Sequence, residues 1–205
     1  MVAGTVLATL LTASAPLPTL PAAPGAPDRG ALPAAAADTV PAAAAPTGAA
    51  HAPPAALTLP GHFTDVPVDP VGTARDGALD VPGSPRRLGW WALGARPGAP
   101  HGTVLLAGHL DTADEGVGPF EELHAVPLGA PVRLTTADGT HHAYRIVARR
   151  TYRKDRLPPD LFSAHGTPRL ALITCAGAFD PEARAYAGNL VLYATPVRAP
   201  VLTGR

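Results

Sequence analysis

Only one cysteine, Cys175, and one lysine, Lys154, occur among the 205 residues of this chain. A lone thiol rules out an intramolecular disulfide, a CxxC redox pair and a thiolate zinc site, each of which needs at least two. Aromatic residues make up 5% of the chain, and the formal net charge is zero. Zero net charge argues against a partner held by phosphate contacts, so no nucleic-acid partner is expected. The excess of arginine over lysine, with abundant Ala, Pro and Gly, fits a GC-rich coding sequence and carries no chemistry.

Long apolar runs are scarce too. The opening stretch MVAGTVLATLLTASA, at about 1.5 Å per helical residue, would cover roughly 20 Å of a roughly 30 Å hydrocarbon core. It ends in Ala13-Ser14-Ala15, the small-x-small form that a signal peptidase prefers, but no basic residue precedes it. Three readings stay open: an export signal, a truncated membrane anchor, or an apolar start without a role.

Proline is plentiful, at 26 residues. Many fall in Ala/Pro-rich sequence such as PAAAAPTGAAHAPPAA, which has little to bury and cannot hold a long helix. It reads as an extended tether or as plain disorder. The expected organisation is a signal-like or truncated anchor segment over 1–15, an Ala/Pro-rich linker over 16–58 and one globular domain over 59–200.

That domain reads as mainly β. The short apolar runs GTVLLAGH and RLALITC, bounded by Gly or Pro, have the pattern of buried strands. APVRLTTADGTHHAYRIVARRTY predicts two strands joined by a two-residue turn at Asp138-Gly139, and NLVLYATPV a last strand. VGPFEELHAV predicts one short helix opening after Gly118-Pro119. Many short strands with Gly/Pro punctuation predict a closed or nearly closed barrel.

Cys175 lies where the RLALITC strand meets a loop, and His109 ends the other strongly apolar strand. A buried lone cysteine is often only a small hydrophobe. A strand-end cysteine near a histidine is also suited to acyl transfer. The thiolate attacks, the imidazole protonates a leaving amine, and an arginine holds an oxyanion. Arg184 follows the cysteine and is the candidate for that third part.

With these residues in place the sequence resembles the sortases, most closely the class F type of high-GC Gram-positive bacteria. The resemblance runs from about residue 61 to about 196. It is carried by LDVPGSPRRLGWW, ARPGAPHGTVLLAGHLDT, GPFEEL, LITCAGAFD and YAGNLVLYA. It implies a closed eight-stranded β-barrel with one or two short helices. It also implies a cofactor-free cysteine transpeptidase that cuts an LPxTG-type sorting signal after Thr. The acyl group is held as a thioester and passed to an amine of a cell-wall precursor. Its partners would be LPxTG-bearing surface proteins, met by a monomer at the cell surface, secreted or tethered to the membrane by its N-terminus.

Carried over, Cys175 is the nucleophile, His109 the acid/base, and Thr174 a substrate-positioning residue. The arginine departs from the pattern. Many relatives have one near YAGN, where this chain has Ala187 and Gly188. Arg198 and Arg205 lie at or beyond the last strand, which leaves Arg184, with Arg169 and Arg153 as alternatives.

Other polar residues are expected to be structural, with no metal site. Asp111, Asp114 and Glu115 follow no EF-hand pattern, and Asp111 is expected to order the loop after His109. His141 and His142 are expected as exposed strand residues on opposite faces. Of Trp90 and Trp91, one is expected inside the barrel. The other is expected on the surface or under the N-terminal segment. RRTYRKDR reads as a solvated strand end. Two rivals remain. An L,D-transpeptidase would carry histidine and cysteine in one Ser-His-Gly-Cys-type motif, which is absent around Cys175. A catalytically silent barrel would have lost the thiol or the imidazole, and both are present.

Overall fold

The computed structural model describes residues 27–33, 51–74 and 78–197. The segment expected as a signal or anchor, most of the expected linker, Arg198 and Arg205 lie outside the described residues. Eleven strands appear among those described: β1 (Arg29–Gly30), β2 (Pro54–Leu59), β3 (Phe63–Val71), β4 (Leu88–Trp91), β5 (Thr103–Ala107), β6 (Asp111–Thr112), β7 (Gly116–Val117), β8 (Pro131–Thr136), β9 (His141–Arg153), β10 (Arg169–Asp180) and β11 (Ala185–Pro196). Two short 3₁₀ helices cover Pro119–His124 and Pro159–Phe162. The first is the helix expected after Gly118-Pro119, wound more tightly than an α-helix.

Eight strands form a ring in the order β9-β11-β10-β5-β4-β3-β2-β8, and β8 pairs with β9 to close it. Most neighbours are antiparallel, while β3–β4 and β5–β10 are parallel. The first barrel strand, β2, begins at Pro54, inside the segment expected as linker. β8 covers only His141–Arg145 of the long strand β9. The short strand β1 pairs farther along β9, at Ala148 and Arg149.

The unbroken apolar runs have a simple cause. In β5, Val104 and Leu106 point into the barrel core, while Leu105 and Ala107 join a second cluster on the outer wall. β10 and β11 divide in the same way, with Leu170, Leu172, Leu190 and Leu192 inside and Ala171, Ile173, Val191 and Tyr193 outside. Strands buried on both faces need no polar alternation. The outer cluster is roofed by Leu79, Val81, Leu157, Leu161 and Phe162. This second layer walls a groove on the barrel's outside.

The β8–β9 hairpin differs from expectation by one residue. The Thr136 N–H donates to the Thr140 carbonyl, and the Gly139 N–H to that of Thr136, so the loop holds three residues. Gly139 sits at φ +81°, the left-handed position that such loops require. Trp90 is buried in the barrel with its indole N–H on the Ala95 carbonyl. Trp91 packs edge-on against Phe162, beneath the second 3₁₀ helix rather than the N-terminal segment. Among the described residues no helix is long and apolar enough to cross a membrane.

Candidate active site

β5 and β10 run parallel with Ala107 opposite Ile173, both facing the outer cluster. Side chains alternate along a strand, so two residues further on each chain, His109 and Cys175 reach the same side. The alignment is fixed by two bonds. The Gly108 N–H donates to the Ile173 carbonyl at 3.1 Å, and the Thr174 hydroxyl donates to the Gly108 carbonyl at 3.0 Å. Thr174 is buried, and its hydroxyl is engaged in holding the histidine strand to the cysteine strand. A Cβ at 108 would lie 2.7 Å from Leu88 Cδ2 and 2.8 Å from Phe120 Cδ2, so a larger residue there would force one of these buried side chains to move.

His109 and Cys175 line one open groove of about 800 Å³. Its walls include Leu79, Val81, Leu105, Leu157, Phe162 and Ile173, and its polar lining includes Asp80, Lys154 and Asn189. The site therefore lies on the outer wall rather than at the mouth of the barrel. Burial pushes the half-buried Cys175 thiol above its ordinary value. The Lys154 charge pulls it down and the Asp111 carboxylate pushes it up.

Three residues around the thiol carried no role in the sequence reading. His124 Nε2 donates to the Cys175 carbonyl at 3.2 Å from the end of the first 3₁₀ helix. Asn189 is the cross-strand neighbour of Cys175 on β11. Lys154 follows β9 into the groove wall. Each arrives from an element distant in sequence, so no spacing pattern announced it, although Lys154 is conspicuous as the only lysine. Asp111 does order the loop after His109, since it accepts a 2.9 Å hydrogen bond from the Tyr186 hydroxyl.

Arg184 is placed elsewhere. Asp180 and Ala185 are the last pair of the β10–β11 hairpin, and Arg184 sits at its tip, exposed, with φ +49°. It is not among the residues lining the groove. Neither alternative fills the gap. Arg169 bonds Thr103 and Asp160 at the opposite end of β10, and Arg153 pairs with Asp155. The basic run is not simply solvated either, because buried Arg149 donates to the Leu123 and Val126 carbonyls.

A smaller cavity of about 350 Å³ lies beside Gly98 and includes His141, His142 and Arg169. His142 is half-buried against Gly98 rather than exposed. Burial and the neighbouring His51 hold its imidazolium form below the ordinary range. Among the described residues no group of three His, Cys, Asp or Glu side chains could hold a metal ion.

The profile of the Sortase domain family matches residues 57–197. No curated protein sequence matches the chain. Among solved structures, sortase A from Corynebacterium diphtheriae is 20% identical with a TM-score of 0.51, the match covering 75% of this chain and 65% of that one. The SrtA sortase of Actinomyces oris is 16% identical with a TM-score of 0.54, covering 77% and 92%. Streptococcus agalactiae sortase C1, in complex with MTSET, is 18% identical with a TM-score of 0.53, covering 70% and 68%. A family match over most of the chain, on a barrel of the same fold, establishes that this protein belongs to the sortase family.

Proposed function

We propose that the chain is a cysteine transpeptidase that cuts an LPxTG-type signal after Thr and transfers the acyl part to an amine of a cell-wall precursor. The observation that carries this reading is the meeting of His109 and Cys175 in one groove, just past the point where the parallel pairing of β5 and β10 ends, with Cys175 inside β10 rather than at its end. The apolar groove walls support it, since they suit the leucine and proline of such a signal. In the first step the Cys175 proton passes to His109 and the sulfur bonds to the scissile carbonyl carbon. The C–N bond then breaks as the imidazolium gives that proton to the leaving amine. In the second step an amine attacks the thioester carbon, its proton passes to His109, and the thiolate departs and is reprotonated.

Thr174 acts by keeping the two strands in register. The protein works as a monomer at the cell surface, of the class F kind, exported and tethered by its N-terminal part. The test is mass spectrometry of the purified protein incubated with LPxTG-like peptides and amine acceptors, beside Cys175→Ala and His109→Ala. A thioester adduct and transferred product are expected from the unaltered protein alone. Turnover by Cys175→Ala within tenfold of the unaltered protein would end the reading.

A further inference from the structure

Acyl transfer through a thiol passes through two anions, first the thiolate and then the tetrahedral oxyanion. A fixed positive charge nearby favours both. Arg184, the expected source, stands outside the groove at a hairpin tip. Among the described residues lining the groove, Lys154 is the one that carries a lysine or arginine charge.

We propose that Lys154 is the cation of this site, stabilising the Cys175 thiolate and then the oxyanion formed on the scissile carbonyl. The proposal rests on the transpeptidase reading of the groove. Its geometry comes from the backbone. Arg153, the last residue of β9, is opposite Gly188, and the Lys154 N–H donates to the Ala187 carbonyl at 3.3 Å. Lys154 thus leaves β9 beside the part of β11 that leads to Asn189, the neighbour of Cys175. Lys154 lines the same groove as Cys175, and its flexible four-carbon stem is long enough to bring the ammonium to the reacting centre.

The charge is also free to act. Asp155, the nearest carboxylate in sequence, is held by Arg153 at 3.1 Å, and Lys154 makes no ion pair with another described residue. Several other groups bear on the thiol. His109 comes from the end of β5, Asp111 from β6 and His124 from the first 3₁₀ helix. Tyr186 comes from β11, and Asp80 and Asp155 from the groove lining. Of these and Lys154, the lysine draws the thiol toward ionisation while Asp111 opposes it. In the reaction Lys154 keeps its protons. The proton of Cys175 still travels through His109 to the leaving amine, and the lysine contributes only charge and a hydrogen bond.

The experiment uses the full chain as Lys154→Met, Lys154→Arg and Arg184→Met, with thermal midpoints as a folding control. Iodoacetamide alkylation of Cys175 is followed against pH, and cleavage of an LPxTG-type peptide is measured separately. In Lys154→Met the alkylation midpoint should rise by about half a unit to one unit. Its kcat should fall on the order of 100-fold with little change in KM. Lys154→Arg should restore the alkylation profile, because it restores the charge. An alkylation profile for Lys154→Met that overlays the unaltered protein overturns the proposal, as does a shift seen only in Arg184→Met. The two readings fail separately. An unaltered protein that cleaves peptide, beside an equally active Lys154→Met, removes Lys154 and keeps the transpeptidase. A shifted alkylation midpoint without any peptide cleavage removes the transpeptidase and keeps the Lys154–Cys175 interaction.

Discussion

Tyr186 donates its phenolic hydrogen to the Asp111 carboxylate across 2.9 Å, joining β11 to the turn that follows His109. The cysteine side and the histidine side of the groove are thus tied at their open end. The Tyr186 ring is held edge-on by Phe179, with centroids 5.1 Å apart. Burial and the adjacent Asp111 push the phenol up to about 12, so the donor proton stays in place across the working range.

Tyr186→Phe should therefore loosen the pair more than it destabilises the barrel. A hydrogen bond to a charged acceptor contributes about 1.5–3 kcal/mol, and a partly exposed one lies at the low end. A fall of a few degrees in the thermal midpoint is expected. Peptide cleavage should fall by a larger factor than that loss of folded protein explains. Unchanged cleavage would mean that Asp111 does not need Tyr186 to hold the His109 loop.

Asp111→Asn tests the opposite electrical sign. The carboxylate disfavours the Cys175 thiolate, so neutralising it should lower the alkylation midpoint, while the amide oxygen can still accept from Tyr186. The thiol is raised in the fold, and the stability linked to it is complete below the unfolded thiol's value of about 8.5. That contribution is lost as pH rises through the folded value, because the unfolded chain gives up its proton first. Chemical denaturation on the alkaline side should show this loss in the unaltered protein, a smaller one in Asp111→Asn and none in Cys175→Ala.

Arg184→Gly is expected to stabilise the protein. The hairpin turn places residue 184 at φ +49°, in the left-handed region that a side chain with a Cβ enters only at a cost of order 1 kcal/mol. The Asp180 carboxylate accepts from the Glu182 and Ala183 N–H groups, so the rest of the turn is already fixed. A higher thermal midpoint with unchanged peptide turnover is the expected pair of results. A collapse in turnover would return Arg184 to the reaction.

His109, Cys175 and the barrel were legible because their cues are local. A strand buried on both faces reads as one apolar run, and the imidazole or thiol that closes such a run in the sequence stands out against it. Asn189 and His124 gave no such cue, since each reaches Cys175 by strand pairing or helix placement across the fold. The position of Arg184 was hidden for the same reason. Counting residues after Cys175 ignored the turn, which carries Arg184 out to the tip while β9 brings Lys154 to the groove. The outer location of that groove was equally hidden, because an inward and an outward buried face look alike in sequence.

Staged removal of the N-terminal part separates tether from fold. Deleting residues 1–26 leaves every described contact in place and should change neither stability nor turnover. Deleting residues 1–50 also removes β1. That costs the Asp28 carboxylate that accepts from the Thr151 N–H at 2.8 Å, and the Arg29 and Gly30 carbonyls that accept from Arg150 at 2.6 and 2.7 Å. These bonds are exposed, and the freed groups on β9 regain water, so a loss of about 1–2 kcal/mol is expected. Turnover of a soluble peptide should stay near normal, because β1 lies along β9 and supplies no residue to the groove. Deleting residues 1–59 removes β2, which bridges β3 and β8. The ring then opens and Leu57 and Leu59 leave the core, so this form should not fold. Thermal midpoints and cleavage rates of the three truncations check the series, and a large loss of turnover at the second stage would show that β1 supports the site.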